Sequence, residues 1–276
     1  MRRALATRLD DAGIENAARE ADWMLESVTG IGRAQLLAGP DRDLQDPEVA
    51  RLLELVERRA AREPLQYILG STGFYGREFA VSPSALIPRP ETELLVEATL
   101  SAAPRGGRVL EVGTGSGCVA VTVALERPDL EVIAMDVSAA ALEVARKNAF
   151  QLGADVRFLE GDAFDHSWMH GLESTVNVVA SNPPYVPLAD RDTLQRELAF
   201  EPGLALFVED GPGRFIKRLT GIGQHLLVQD GVLLIETHSP EARESLVILA
   251  DAGYTETRVL QDLSGRPRVL QGRKSG

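Results

Sequence analysis

The sequence predicts an α/β protein in which a Rossmann-like, mostly parallel sheet follows a small helical bundle. Three observations carry that prediction. Short apolar runs alternate with helical stretches beyond Arg108, which calls for parallel strands joined by helices that cover both faces of one sheet. A glycine-rich turn, Gly113-Thr114-Gly115-Ser116-Gly117, directly follows the first of those runs, as where a strand feeds a helix beside a nucleotide. The first third of the chain shows helical periodicity alone.

In chain order, Ile14, Ala18, Ala21, Leu25 and Val28 recur at helical spacing, and Val49, Leu52, Leu53, Val56 and Ala60 do so again with charges between them. Each stripe needs a partner to bury it, so residues 1–70 are expected to form a bundle. That bundle is either a structural cap or a grip for a macromolecular substrate; the sequence does not separate these, and substrate recognition is the role expected here. From Leu65 the texture changes to LQYILGSTGFYGREFAVSPSALIPRP, so residues 71–90 are expected to form a hairpin or extended linker turning near Gly76. The domain over residues 91–276 opens on a helix with Glu91 and Glu93 at its start, where acids suit the helix dipole. Strands are expected at 109–112, 131–135, 156–159, 176–180 and 232–235, and helices at 119–126 and 139–150. Residues 255–260 and 268–271 should close the chain as an antiparallel hairpin around Ser264-Gly265.

Composition narrows the function classes. The chain has 276 residues, 44% hydrophobic and 25% charged, enough for one large domain or two ordinary ones. A formal net charge of −12 opposes stable binding to nucleic acid, whose phosphates reward a positive surface. The single cysteine, Cys118, has no internal disulfide partner and reads as a small buried side chain. No apolar run reaches the roughly 18 residues of a membrane helix, so a cytoplasmic protein with no membrane partner is expected. The Arg-rich start runs at once into Asp10, Asp11 and Glu15, and so reads as a first helix and not as a transit peptide. His166, His170, His225 and His238 show no metal-ligand spacing, and no metal is expected.

The glycine turn admits a ligand close to the backbone. About 20 residues on, at the end of the second strand, Asp136 is placed to accept hydrogen bonds from both hydroxyls of a ribose. The run is E-x-G-x-G-x-G, with Glu111 closing the strand. That acid repels a pyrophosphate but suits a cationic amino acid and a sulfonium, so S-adenosylmethionine fits better than a dinucleotide. Asp162, after the third strand, either accepts the adenine amine, with Ala163 and Phe164 near the ring, or caps a helix.

After the fourth strand comes Ser181-Asn182-Pro183-Pro184-Tyr185. Asn182 offers a side-chain carbonyl, and Pro183, lacking an N–H, offers a backbone carbonyl in a fixed direction. Two convergent acceptors can hold a planar NH2 by both hydrogens and favour the pyramidal nitrogen of a transition state over the flat ground state. Tyr185 is expected to wall the pocket or stack on a planar substrate.

Several motifs together resemble the protein-(glutamine) methyltransferases of the PrmC/HemK family, which modify the glutamine of the Gly-Gly-Gln motif in class I peptide chain release factors. These are Gln66-Tyr67 with Gly70, Phe74-Tyr75-Gly76, Leu86-Ile87-Pro88-Arg89-Pro90-Glu91-Thr92-Glu93, Glu111 to Gly117, Ser181 to Tyr185, Glu201-Pro202, and Asp262-Leu263 with Gly265 and Arg268. The resemblance implies a class I methyltransferase domain with a mostly parallel seven-stranded sheet, S-adenosylmethionine as cofactor and release factors as partners. It implies that Asn182 and Pro183 bind the substrate amide beside the methyl donor, with Pro184, Tyr185, Phe74 and Arg89 shaping the pocket. Glu111, Gly113, Thr114, Gly115, Gly117, Asp136, Asp162 and Ala163, with Asn182, would hold the cofactor. The sequence departs from the family at Phe207-Val208-Glu209-Asp210-Gly211 and at Thr237-His238-Ser239 with Arg243, in outer loops that bear on substrate fit. An adenine-N6 DNA or RNA methyltransferase is the alternative, because its target amine is planar too and shares the Asn-Pro-Pro-Tyr motif; scarce lysine and the negative charge count against it.

Overall fold

The computed structural model describes residues 1–38, 43–211, 213–237 and 242–275. The chain divides into two compact units: residues 1–71 with 195–200, and residues 72–194 with 201–276.

The first unit contains α1 (Arg2–Asp11), α2 (Ala17–Thr29), α3 (Arg33–Ala38), α4 (Asp46–Ala60) and α5 (Leu65–Leu69). Gln45 and Glu48 form a capping box at the start of α4, satisfying amides that a helix end leaves free. Its core joins Leu5, Leu9, Ala21, Met24, Leu52 and Val56. The expected stripes were partly out of phase. Ile14 is buried but lies in the connection before α2, Ala18 is exposed, and Ala17 and Met24 take the inward positions. On α4, Leu53 is 52% exposed while Leu55 is buried; a residue next to Leu52 is turned about 100° from it. Within this unit Arg59 pairs with Glu20 at 2.7 Å and with Glu197 at 3.1 Å.

The hairpin of β1 (Ser71–Phe74) and β2 (Arg77–Ala80) leads into the second unit, which starts at Thr72, and is followed by a short 3-10 turn at Pro90–Thr92 and α6 (Glu93–Ala102). The alternating segment follows as β3 (Arg108–Val112), α7 (Cys118–Glu126), β4 (Glu131–Asp136), α8 (Ala139–Leu152), β5 (Arg157–Glu160) and β6 (Val176–Ser181). Two short strands, β7 (Val186–Pro187) and β8 (Phe207–Val208), pair in parallel around α9 (Gly203–Leu206). The chain ends with α10 (Gly213–Leu226), β9 (Leu227–Glu236), α11 (Ala242–Asp251), β10 (Tyr254–Gln261) and β11 (Pro267–Lys274). The expected strand at 232–235 is the buried part of β9, whose exposed Gln229 and Asp230 gave no apolar signal.

The seven-stranded sheet has the order β10-β11-β9-β6-β3-β4-β5. β9, β6, β3, β4 and β5 run parallel, and β11 and β10 add the antiparallel edge. Successive strand residues feed opposite faces. Val109, Ala134, Val178 and Leu234 pack with α7, whereas Leu110, Ile133, Val179 and Leu233 pack with α10, as the two-residue period of a strand requires. β3 has β4 on one side and β6 on the other, so the topology switches direction there and opens a crevice beyond the strands' carboxyl ends. No helix among the described residues is long and apolar enough to cross a membrane.

Candidate active site

That crevice holds a cavity of about 560 Å³. Glu111, Gly113, Thr114, Gly115, Asp136, Asp162 and Ala163 form the part of its lining at and just after the ends of β3, β4 and β5, and Arg89, Asn182, Pro183 and Pro184 form the part beside it, Asn182 following the β6 residue that pairs with Val112. Each is a position expected from the sequence.

The glycine loop takes its shape from three residues with positive φ: Gly113 at 76°, Gly115 at 56° and Gly117 at 80°. They do two different jobs. A Cβ on Gly113 or Gly115 would meet nothing within 4 Å, whereas one on Gly117 would stand 2.9 Å from the Ala145 Cβ. Gly117 therefore lets α7 lie close to α8 and does not line the cavity, a correction to its expected contact with a ligand. The loop amides are already engaged: Gly113 and Thr114 donate to the Met135 carbonyl at 2.9 and 3.0 Å, Gly117 donates to the Thr114 carbonyl at 2.9 Å, and Gly115 donates to Asp136 Oδ2 at 2.8 Å. Amides so committed do not form a phosphate cradle. Asn148 on α8, which sequence reasoning missed, donates to the Ser116 carbonyl at 2.8 Å and binds both backbone groups of Ala80, tying the loop to the hairpin.

The acids beside this loop differ in state. Glu111 is buried, takes the Thr114 hydroxyl at 2.5 Å and the Ala120 amide at 3.0 Å, and burial pushes its carboxyl up to about 8. Its charge waits for a cation to offset desolvation, unlike the standing charge expected from the sequence. The Thr114 side chain accordingly serves Glu111. Asp136 receives the Ser138 amide as well as Gly115, so one oxygen fixes the loop and the other the start of α8; each keeps a further lone pair. Asp162 is exposed and accepts the Phe164 amide at 2.8 Å, and the Ala163 carbonyl accepts from Arg218. Phe164 packs edge-on against Phe215, with ring centroids 5.0 Å apart. Three carboxylates, open glycine positions, a loop without a phosphate cradle and an aromatic edge fit the charge and shape of S-adenosylmethionine.

In the other part of the lining, Ser181 donates to the Val112 carbonyl at 2.7 Å and so locks the tip of β6 to β3. Asn182 donates through Nδ2 to Thr92 Oγ1 at 3.3 Å, and Pro183 is buried. Arg89 pairs with Glu201, whose other oxygen accepts the Ile87 amide at 3.1 Å. Thr92 and Glu201 lie in motifs that were singled out, but their partners were not foreseeable from spacing. Among the described residues, the cavity wall includes neither Phe74 nor Tyr185. Phe74 is core, 3% exposed and edge-on to Phe79, so it cannot shape the pocket mouth. Burial raises the Tyr185 phenol, on which Glu236, Arg89, Arg268 and Glu91 also act. Phe207, Val208 and Glu209, where the sequence departs from the resembled pattern, do line the cavity; His238 and Ser239 lie outside the described residues. Cys118 is buried at the start of α7, with its thiol pushed up by desolvation.

Known proteins match this arrangement along nearly the whole chain. The PrmC N-terminal domain family matches residues 1–70, and the methyltransferase small domain family matches residues 90–202. The release factor glutamine methyltransferase of Neisseria gonorrhoeae is 43% identical over 254 residues, 92% of this chain and 92% of its own length. That of Geobacter sulfurreducens is 37% identical over 266 residues, 96% and 92% respectively. A crystal structure of a methyltransferase from Pyrococcus furiosus superposes with a TM-score of 0.54 at 17% identity, covering 84% of this chain and all of that one, and speaks to the fold alone. With a glycine loop and the Asn182-Pro183-Pro184 segment lining one cavity and relatives this similar from end to end, the chain belongs to the release factor glutamine methyltransferase family.

Proposed function

We propose that this protein transfers a methyl group from S-adenosylmethionine to the side-chain amide nitrogen of the glutamine in the Gly-Gly-Gln motif of class I peptide chain release factors, supporting translation termination in the cytoplasm. The observation that carries this reading is that Asn182 and Pro183 line the same cavity as an acidic glycine loop. When bound, S-adenosylmethionine supplies an electrophilic methyl carbon on a positively charged sulfur. Glu111, Asp136 and Asp162 give its end of the cavity the matching charge, and Gly113 and Gly115 leave it room. Asn182 Oδ1 and the Pro183 carbonyl accept the two hydrogens of the substrate amide. An amide nitrogen is a weak nucleophile because its lone pair is delocalised, and two fixed acceptors favour the pyramidal form in which the pair is free. Arg89, held by Glu201, secures the wall beside them.

Residues 1–70 are the proposed contact for the protein substrate. A chain lacking them should keep cofactor binding and lose transfer to an intact factor; full-rate transfer by a folded truncation would reduce the bundle to a scaffold. The reading as a whole is tested by labelled methyl transfer to a purified release factor, with the site located by mass spectrometry. A Gln-to-Ala factor and duplex DNA serve as controls. Methyl on glutamine alone supports it, and methyl on adenine would replace it with the nucleic-acid alternative.

A further inference from the structure

Glu236, at the end of β9, has no part in the mechanism above, yet its side chain is an unusual thing to bury. It is 4% exposed, and its Oε2 has no hydrogen-bond partner among the described residues. It lies one residue beyond Ile235, which pairs with Ser181 across β9 and β6, and so stands beside Asn182. The Thr92 hydroxyl favours the ionised form of its carboxyl, and the same Thr92 hydroxyl accepts Asn182 Nδ2 at 3.3 Å. Three side chains from three distant parts of the chain thus act on one another in sequence through Thr92.

The chemistry of that line fixes a direction. A threonine hydroxyl has one proton to give and lone pairs to accept with. A carboxylate on Glu236 takes that proton, so Thr92 Oγ1 can only accept from Asn182. Asn182 must then turn its NH2 toward Thr92 and its Oδ1 away from it. The two orientations of an asparagine amide are nearly equal in shape, and only the surrounding hydrogen bonds choose between them.

We propose that Thr92 and Glu236 are positioning residues that set the amide orientation of Asn182, so that Oδ1 and not Nδ2 is presented to the substrate. The inference rests on the reading that Asn182 accepts a hydrogen from the substrate amide. An asparagine turned the other way would present donors to a group that is itself a donor, and the site would repel the nitrogen it has to hold.

Protonation of Glu236 reverses the logic. A carboxylic acid can donate to Thr92, which frees the Thr92 proton for Asn182 Oδ1 and lets the amide turn over. Arg268 from β11 favours the charged carboxylate, while Glu91 in the 3-10 turn opposes it, and Tyr185 after β6 and Cys118 at the start of α7 also sense Glu236. Arg268 is shared with Asp262 at 2.9 Å and Glu91 at 3.4 Å. Burial outweighs Arg268 and pushes the Glu236 carboxyl up to about 7, so the turnover of the amide falls within the working range of pH.

The test compares the intact protein with Thr92→Val, Thr92→Ser and Glu236→Gln. Single-turnover transfer to a release factor is measured from about pH 5.5 to about pH 8.5, a range that brackets the titration. Alongside it, the 15N–1H resonances of the Asn182 side-chain amide are followed without substrate and assigned by their loss in Asn182→Asp. Thr92→Val should lower kcat about tenfold, the scale of one hydrogen bond to a charge-linked network, while KM and cofactor affinity change little. Thr92→Ser should restore it. The Asn182 amide resonances should titrate near neutral pH and cease to do so in Glu236→Gln, which should also flatten the lower limb of the rate profile. Normal kcat in Thr92→Val, failure of Thr92→Ser to rescue, or amide resonances indifferent to Glu236→Gln would overturn the proposal. A protein that modifies no release factor would defeat the functional reading, and the resonances would still decide this one.

Discussion

At the glycine-loop end of the cavity, the bonds within the loop close over shorter stretches of chain, Thr114 reaching Glu111 across three residues and Gly115 reaching Asp136 across 21, with Asn148 as a brace from 32 residues on. At the Asn182 end hydrogen bonds span 90 residues to Thr92, and Arg89 reaches 112 residues to Glu201. The first end is shaped by local backbone conformation. The second exists only once the sheet has set β6 beside β3 and β9. The difference predicts how each end fails: damage to the loop should weaken binding and folding, and damage to the acceptors should slow turnover in a protein that still folds and binds.

The largest effect should come from Asn182→Ala. Loss of one preorganised polar contact in a transition state costs on the order of 10²-fold or more in kcat, and cofactor affinity should move little because Glu111, Asp136 and Asp162 are untouched. Single-turnover kinetics with parallel calorimetry checks this. A large drop in affinity with near-normal turnover would erase the distinction between the two ends.

Asp136→Ala should come next and report on the opposite end. It removes a charged acceptor, worth about 1.5–3 kcal/mol per hydrogen bond at most, so cofactor affinity should fall by roughly tenfold or more. Because Asp136 also holds the Gly115 and Ser138 amides, the fold should loosen as well, which the position of this acid in the sequence did not reveal. Amide hydrogen exchange over residues 113–118 should quicken in the variant, and unchanged exchange would show that the loop holds its shape without the acid.

Gly117→Ala sharpens the division of labour inside the loop. The new Cβ would meet Ala145 at 2.9 Å from a backbone with φ of 80°, a combination that should cost about 1–3 kcal/mol of stability. Gly117 does not line the cavity, so affinity measured on the folded fraction should stay near normal. A selective loss of affinity without loss of stability would return Gly117 to the ligand site.

The same contrast explains what could be read from the sequence. The strands of the large sheet, the helices α6, α7 and α8, the loop and Asp136 were legible because each signal is local: a two-residue or 3.6-residue period, a positive-φ glycine, a fixed offset; α10 and α11 were not expected. Asn182 and Pro183 were legible because their chemistry is unusual in itself. Phe74 was misplaced because a motif names a residue without saying which way its side chain turns, and it went to the core, while Tyr185 is not part of the cavity wall among the described residues. Thr92, Glu201 and Asn148 were silent as to role, since each acts through a partner that only the folded sheet supplies. In the bundle, Leu53 was assigned inward on apolar character alone, and the packing chose Leu55.

The smallest effect concerns Glu111, and its sign follows from burial. Its carboxyl lies at about 8 in the folded protein against an ordinary value of 4.5. Between those values the folded state holds a proton that the unfolded state has released, so this contribution to stability is fully present below about pH 4.5 and is lost as pH rises through 8. Glu236, at about 7, acts in the same direction. The Tm of the ligand-free protein should therefore fall as pH rises from about 5 to about 8, and Glu111→Gln should reduce that fall by about 2–4 °C, the shift that roughly 1 kcal/mol produces in a chain of this size. A bound cation reverses the balance by favouring the carboxylate, so the rise in Tm on adding cofactor should be larger at about pH 8 than at about pH 6. Glu111→Gln should abolish that difference. Parallel pH curves for the two proteins would mean that Glu111 is charged without a ligand, and the glycine-loop end would then hold a standing charge in place of one that forms on binding.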